Sequence, residues 1–319
     1  MVISLDFELL WGVFDHENET TFGERIKNTR KVIYSILDLF KKYDIHATWG
    51  TVGLLFAQNI DEAENFSPEL KPQYHKDELS AYKHLSEVTA EQDYLHFAPD
   101  LICDILKIEN QEIGSHTFSH YYCKERGQTL ETFNNDLMCA KKIAKDKFNL
   151  DLESIILPRN QFLPAYINVA KNNGFKAVRG NPKHYAYNNS TIFARGIRLL
   201  DSYVNICGYK CYDLNDLVEN DFIDIKASCF FRQYNKKLEL LEKLKLCCIK
   251  RQMKFAAKNN KVFHFWWHPH NIGLNIEKNL KQLEEIFMYY VNLREKYGFE
   301  SKNMKEMVKE IQDENSDVM

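Results

Sequence analysis

Two acids two residues apart, Asp6 and Glu8, two histidines four apart, His116 and His120, and a late histidine, His268, are the side chains with which this sequence could do chemistry. His116 and His120 stand in Gln111–His120, read QEIGSHTFSH, just after a short apolar run. That spacing predicts both imidazoles on one face of a single helical turn, close enough to share a metal ion. On a strand, positions two apart share a face, so Asp6 and Glu8 point the same way while Leu5 and Phe7 pack outward. Two acids side by side inside a protein repel and are costly to desolvate unless a cation or proton lies between them. Two neutral imidazoles and one carboxylate make a three-ligand site with an open position, the arrangement of a catalytic zinc. At this level either acid can be the third ligand.

His268 lies in Val262–His270, VFHFWWHPH. Alternation puts Val262, His264, Trp266 and His268 on one face and Phe263, Phe265 and Trp267 on the other. A second mouth histidine beside the acidic pair suits a general acid, with His270 close behind as the alternative. Arg159, in LPRNQ, follows a strand and a proline. Pointing inward, it pairs with Asp6 and keeps that carboxylate ionised, ready as a base. Arg179 and Asn181 in VRGN, together with Asn160, are candidate substrate contacts. Trp266, Trp267, Tyr121 and Tyr122 are candidates to stack on a sugar ring.

These residues need elements to bring them together. Val2–Phe7, His46–Gly50, Glu112–Ser115, Ile155–Leu157, Phe175–Val178, Phe222–Ala227 and Lys261–Trp267 read as strands. Between them lie helical patterns over Thr21–Lys42, Pro99–Ile108, Thr129–Lys147, Pro164–Asn173 and Lys236–Lys258. A further helix carries Leu280, Leu283, Ile286, Phe287 and Tyr290, and a last one is capped by Ser301. Residues from about 57 to 97 are polar, with Pro68 and Pro72, and read as an insertion over the mouth. Strand–helix alternation from end to end predicts an α/β fold, a distorted (β/α) barrel of about seven parallel strands. One domain over 1–319 is expected, with a helical C-terminal extension from about 275. The polar candidates fall at strand C-termini, where a parallel barrel builds its site.

Composition narrows the function classes. Lys and Arg total 42 against 45 Asp and Glu, a net charge of −3. The overall balance gives no reason to invoke nucleic acid or an anionic membrane. The opening MVISLDFELLWG has no basic stretch ahead of a long apolar core, so neither a secretory signal nor a membrane span is expected. None of the eight cysteines forms a CxxC pair. Reduced thiols in a cytoplasmic protein are the simplest account.

Over roughly Ile3 to Gly273 the motifs resemble the polysaccharide deacetylase family, carbohydrate esterase family 4. SLDFE is similar to the family's first motif, an aspartate base followed by an acidic metal ligand, here in a variant acid-x-acid spacing across Phe7. HTFSH matches the second, and ATWGTVG resembles the strand after the first helix. LPRNQF stands, reordered, where an arginine–proline segment belongs, and FWWHPH where the last motif places its histidine. Asp201 and Asp224 are candidates for the acid that orients this histidine. The resemblance implies Glu8, His116 and His120 as ligands of a divalent metal, most simply Zn²⁺, with Co²⁺, Ni²⁺ or Mn²⁺ as alternatives. It implies Asp6 as base, His268 as acid, and hydrolysis of an N-acetyl group on a sugar. For a chain without a signal, a cytoplasmic sugar nucleotide or lipid-linked sugar of surface-glycan synthesis is the expected substrate. Two other readings are an amidohydrolase for a different amide, such as an N-formyl sugar or ring amide, and a non-catalytic sugar-binding protein.

Overall fold

The strand β1 (Val2–Phe7) sets the pattern of the whole molecule in this computed structural model, which describes residues 1–16, 19–189, 191–219 and 222–317. Its odd residues Ile3, Leu5 and Phe7 join the main apolar core beneath the surrounding helices. Its even residues turn into the barrel, where Val2 packs in a second cluster with Ile156, Ala177, Ile223, Ile225 and Val262. Climbing that inner face, the side chains change from apolar Val2 to hydroxyl Ser4 to carboxylate Asp6. An apolar floor and a polar mouth follow from the two-residue period of a strand.

The chain continues through α1 (Glu19–Tyr43), β2 (Ala47–Thr51), α2 (Ile60–Phe66), α3 (Ala81–Leu85), α4 (Asp93–His96) and α5 (Pro99–Leu106). Then come β3 (Gln111–Ser115), α6 (Leu130–Phe148), β4 (Ser154–Ile155), α7 (Pro164–Asn172), β5 (Ala177–Val178) and α8 (Ile192–Val204). The last third holds β6 (Val218–Glu219), β7 (Phe222–Asp224), β8 (Cys229–Phe230), α9 (Glu239–Lys258), β9 (His264–Trp267), α10 (Ile276–Tyr297) and α11 (Met304–Asp317). The strands form one sheet in the order β6-β7-β5-β4-β3-β2-β1-β9-β8. Every pairing is parallel except β6 with β7.

β7 and β8 are two halves of one extended segment. Its first half donates from Ile223, Ile225 and Ala227 to the carbonyls of Lys176, Val178 and Gly180 beside β5. Its second half donates from Ser228 and Phe231 to His264 and Trp266 of β9. The sheet therefore curls into a ring of seven strand positions, with β7 and β8 sharing one. Seven parallel positions agree with the expected α/β barrel. Its distortion is this shared strand, which serves one neighbour at a time.

The C-terminal residues seal the floor. Met304, Met307, Val308 and Ile311 of α11 pack on the lower cluster, and the Met304 N–H donates to Thr48 Oγ1 at 2.8 Å. This last helix begins later than the expected Ser301. Asn303 takes the capping role, its Oδ1 accepting from the Glu306 N–H, while Ser301 Oγ accepts from His46 N–H. The expected strands Ile155–Leu157 and Phe175–Val178 shrink to two residues each. Beyond β4 the backbone turns through Arg159 and Asn160, both at positive φ, which no strand accommodates. Residues 57–97 carry α2, α3 and α4, and this segment is tied to the mouth. The Trp11 Nε1–H donates to His96 O at 2.7 Å, and Tyr74 Oη accepts from Tyr122 N–H.

Candidate metal centre and active site

Glu8 follows β1 directly, and its carboxylate reaches across the barrel mouth. Its Oε2 lies 3.2 Å from His116 Nε2 and 3.2 Å from His120 Nε2. One ligand atom from each of the three residues falls within 4.8 Å of the others, all buried. His116 Nε2 is buried without a hydrogen bond, because its approach to Glu8 lacks hydrogen-bond geometry. A buried polar atom in that state is costly unless something else satisfies it. His116 Nε2, His120 Nε2 and the Glu8 carboxylate are close enough together to share one ion. Two imidazole nitrogens and one carboxylate oxygen are a donor set for a borderline divalent cation such as Zn²⁺, so the residues fit the metal that the motifs imply. Gly12 makes room for the ligand: a Cβ there would meet Glu8 Oε1 at 2.0 Å.

The histidine pair is held differently from the expectation. Residues 116–120 form a loop after β3, not a helical turn. Thr117 (φ 65°) and His120 (φ 54°) are both left-handed, and this coiling brings the two rings to 5.2 Å between centroids. The strain of such backbone is offset by Asp136 of α6. Its buried carboxylate accepts from the backbone N–H of Phe118 at 2.6 Å and of Ser119 at 3.1 Å, and from the Ser119 hydroxyl. Burial pushes the Asp136 carboxyl up to about 6 while these donors pull against it. His120 Nδ1 lies 3.1 Å from the Tyr122 hydroxyl, a partner that leaves Nε2 for the metal. Asp136 was not singled out from sequence, although an acid in the apolar stripe of Phe133, Leu137 and Ala140 was the available signal.

Asp6 sits beside this group and is paired with Arg179, not with Arg159. Arg179 Nη1 donates to Asp6 Oδ1 at 2.5 Å and Nη2 to Oδ2 at 2.8 Å, with both side chains buried. Further bonds run from Arg179 to Ser4 Oγ and Asn160 Oδ1, and its guanidinium stacks 4.1 Å from the Trp266 ring centroid. Burial alone would raise the Asp6 carboxyl. The charges of Arg179 and His268 and the Arg179 hydrogen bonds outweigh it and hold the group below its usual range. Arg159 binds Asp15 at 2.5 Å and lies 4.4 Å from the Tyr122 ring centroid. Its left-handed backbone turns it away from Asp6 to the wall of the neighbouring cavity. Arg179 stands at the end of β5 and points straight in.

His268 Nε2 is 3.5 Å from Asp6 Oδ2 and 3.6 Å from Glu8 Oε1. Its side chain is 23% exposed, whereas those of Asp6 and Glu8 are 4% exposed, so it faces the space a substrate would enter. Neither Asp201 nor Asp224 orients it. Asp201 binds Lys210 and the Tyr187 hydroxyl, and Asp224 binds Lys226. The Asn271 side-chain amide lies 3.2 Å from His268 Nδ1 instead. His270 is buried behind Glu8, 3.7 Å from Oε1, and burial lowers it to about 3. Burial also opposes ionisation of Glu8, but the charge of His268 and the close approach of His116 and His120 bring it well below the usual carboxylate range.

A cavity of about 610 Å³ opens beside these groups, with Trp266, Asn160, Asn181, Arg195, Arg198 and Arg232 among its lining residues. Asn160, Asn181 and Trp266 therefore border this space. Arg179 lies beneath, committed to Asp6. Tyr121 and Trp267 are fully buried. The Tyr121 hydroxyl bonds Thr132 Oγ1 at 2.6 Å, so neither ring is free to meet a sugar. Tyr122 is also buried, between His120 and Arg159.

The sequence model of the polysaccharide deacetylase family matches residues 20–178, a span that includes His116 and His120 and begins after Asp6 and Glu8. No curated protein matches the chain. A solved structure from Mycobacterium smegmatis, assigned as a polysaccharide deacetylase, superposes with a TM-score of 0.61 at 10% identity, over 98% of this chain and 90% of that one. One from Pseudomonas aeruginosa PAO1, assigned likewise, gives 0.53 at 10% identity, over 96% and 82%. At such identity these likenesses speak to the fold. With the family match added, the chain belongs to the polysaccharide deacetylase family.

Proposed function

We propose that the chain is a metal-dependent hydrolase that removes an N-acetyl group from a sugar. The observation that carries this reading is the meeting of Glu8, His116 and His120 beside an ionised Asp6 clamped by Arg179. The chemistry a divalent ion supplies at such a site is polarisation of the acetyl carbonyl and a more acidic water. Asp6, kept as a carboxylate by Arg179, takes the proton of the attacking water. His268 Nε2, 3.5 Å from Asp6, passes a proton to the amide nitrogen, a poor leaving group until protonated. The C–N bond breaks, and acetate and a free amino sugar leave. Trp266, Asn160 and Asn181 line the space for the ring. All eight cysteines are free thiols, which supports a reducing, cytoplasmic setting, and no helix among the described residues is long and apolar enough to cross a membrane.

The test is metal content and acetate release measured together on a panel of N-acetylated sugars and sugar nucleotides. Asp6→Asn is expected to retain metal and lose most turnover, and His116→Ala to lose both. Stoichiometric metal in His116→Ala would overturn the site. Formate release in place of acetate would move the reaction to an N-formyl sugar, and sugar binding without metal would mark a non-catalytic protein.

A further inference from the structure

Arg232 is a half-buried cation with no anion to meet it. It stands just past β8, where strand alternation sends Phe231 into the core beside Phe265 and Trp267 and turns Phe230 and Arg232 into the cavity. Its guanidinium makes no hydrogen bond, ion pair or ring contact among the described residues. Burial pulls it below its ordinary pKa, and the charge of Arg198 pulls the same way. A charge taken out of water is costly unless an opposite charge meets it.

The rest of the lining does not supply that charge. Six of the lining residues are Lys or Arg and two are acids. Asp201 neutralises Lys210 at 2.7 Å, and Arg159 is paired with Asp15 at 2.5 Å. Arg198 donates from Nη1 to the carbonyls of Ala186 and Asn189, which fix it without cancelling its charge. Positive charge is therefore in excess around this cavity, in a chain whose net charge is −3.

The lining also says which anion fits. A phosphate is commonly held by the backbone N–H groups of a glycine-bearing loop or a helix N-terminus. None of the described lining residues is a glycine, and α8 lines the space from Arg195 to Ser202, past its N-terminal N–H groups. What the cavity offers is a flat guanidinium and the side-chain amides of Asn160, Asn181 and Asn188. A guanidinium fork matches the two coplanar oxygens of a carboxylate, and amides both donate to and accept from sugar hydroxyls. The cavity adjoins the reaction centre through Phe230, whose ring centroid lies 4.6 Å from that of Trp266 and 5.8 Å from that of His268.

We propose that this cavity is a subsite for an acidic sugar unit, the neighbour of the unit that loses its acetyl group, and that Arg232 holds its carboxylate. The subsite makes the enzyme selective for acidic saccharides. The acetylated neighbour rests on the deacetylase reading above, and the carboxylate rests on Arg232 and the lining.

Calorimetry on the metal-loaded chain tests this with three probes: a disaccharide of glucuronate and N-acetylglucosamine, the same disaccharide with glucose in place of glucuronate, and N-acetylglucosamine 1-phosphate. The acidic disaccharide is expected to bind about tenfold or more tighter than the neutral one, the measure of a hydrogen-bonded charge. Arg232→Met should bring that ratio near one and Arg232→Lys should restore part of it, with unchanged circular dichroism in both. A ratio near one in the unsubstituted chain, or a ratio that Arg232→Met leaves intact, overturns the proposal. So does Arg232-dependent binding of the sugar phosphate as tight as that of the acidic disaccharide, which would make the recognised group a phosphate. Acetate release from the two disaccharides separates this proposal from the activity. Arg232-dependent binding without acetate upholds the subsite and counts against the activity, whereas acetate released equally from both upholds the activity and counts against the subsite.

Discussion

Arg179 grips Asp6 with two parallel hydrogen bonds inside the barrel, and Trp266 covers the guanidinium. The pair keeps a carboxylate charged where water is scarce, and a base at the mouth requires that charge. Breaking such a pair is far more costly than never having built it. Arg179→Met is expected to destabilise the chain by roughly 3–5 kcal/mol and to abolish turnover. Arg179→Lys should fold better, because the charge remains, yet lose the forked geometry and much of the kcat. Metal content should be unchanged in Arg179→Lys. Denaturant titration, kcat and metal analysis on both variants check this.

Gly12 carries a prediction about metal affinity. Its missing Cβ is the space that Glu8 occupies. Gly12→Ala must push the Glu8 carboxylate off its line to His116 and His120. Metal affinity should fall about 10–100-fold, the range seen when the support of a ligand is lost, with little change in melting temperature. Competition with a chromogenic chelator measures it. An unchanged affinity would mean that Glu8 does not hold the ion.

Asp136 supports the histidine loop from behind. Asp136→Ala leaves the Phe118 and Ser119 N–H groups buried without an acceptor, at about 1–3 kcal/mol for each unsatisfied group. The loop should relax from its left-handed turns and His120 should drift. Stability and metal affinity are therefore expected to fall together, in contrast to Gly12→Ala, where only affinity moves. Thermal melts with and without added metal separate the two.

Acid should weaken the fold through His264. This ring is fully buried, between Ser4 Oγ and the Ile225 carbonyl. Burial first, then the charge of Arg179, lowers it to about 3. In the unfolded chain it titrates near 6.5. Above that value neither state carries the proton. Between about 6.5 and 3 the unfolded chain binds a proton that the native state refuses, so stability falls as the pH falls. The loss from this one group is about 2 kcal/mol at pH 5. His264→Gln should show a shallower decline in denaturation midpoint between pH 7 and pH 5, even from a lower starting stability. An equal decline in both proteins would assign the acid sensitivity to other groups.

Much of the site was legible because strands obey a simple rule. The two-residue period pointed Asp6 inward and Phe7 outward, and it placed His264, Trp266 and His268 on the inner face of β9. The histidine spacing marked the pair that meets Glu8, but not by the turn it suggested. An interval of four suits a helical turn, but here two left-handed residues bring the rings together, and positive φ at Thr117 leaves no mark in composition. The choice of arginine failed for a related cause. Arg159 and Arg179 both follow short strands, and only the left-handed backbone at Arg159 and Asn160 turns the first away. Helix α8 went unread because its apolar residues face outward, so no core pattern locates it against the barrel.

The segment from Phe222 to Phe231 is at once the last stave of the barrel and the wall of the cavity, through Ala227, Ser228, Cys229 and Phe230. Divergence in substrate choice is therefore constrained on that side. A residue swapped there to fit a new sugar also alters the join between β5 and β9. The opposite wall, made by α8 and the turns before it, is attached outside the ring. Evolution can reshape it without unsealing the barrel, so relatives with different substrates should differ most in the stretch from Asn181 to Lys210 and least between Ile225 and Phe231.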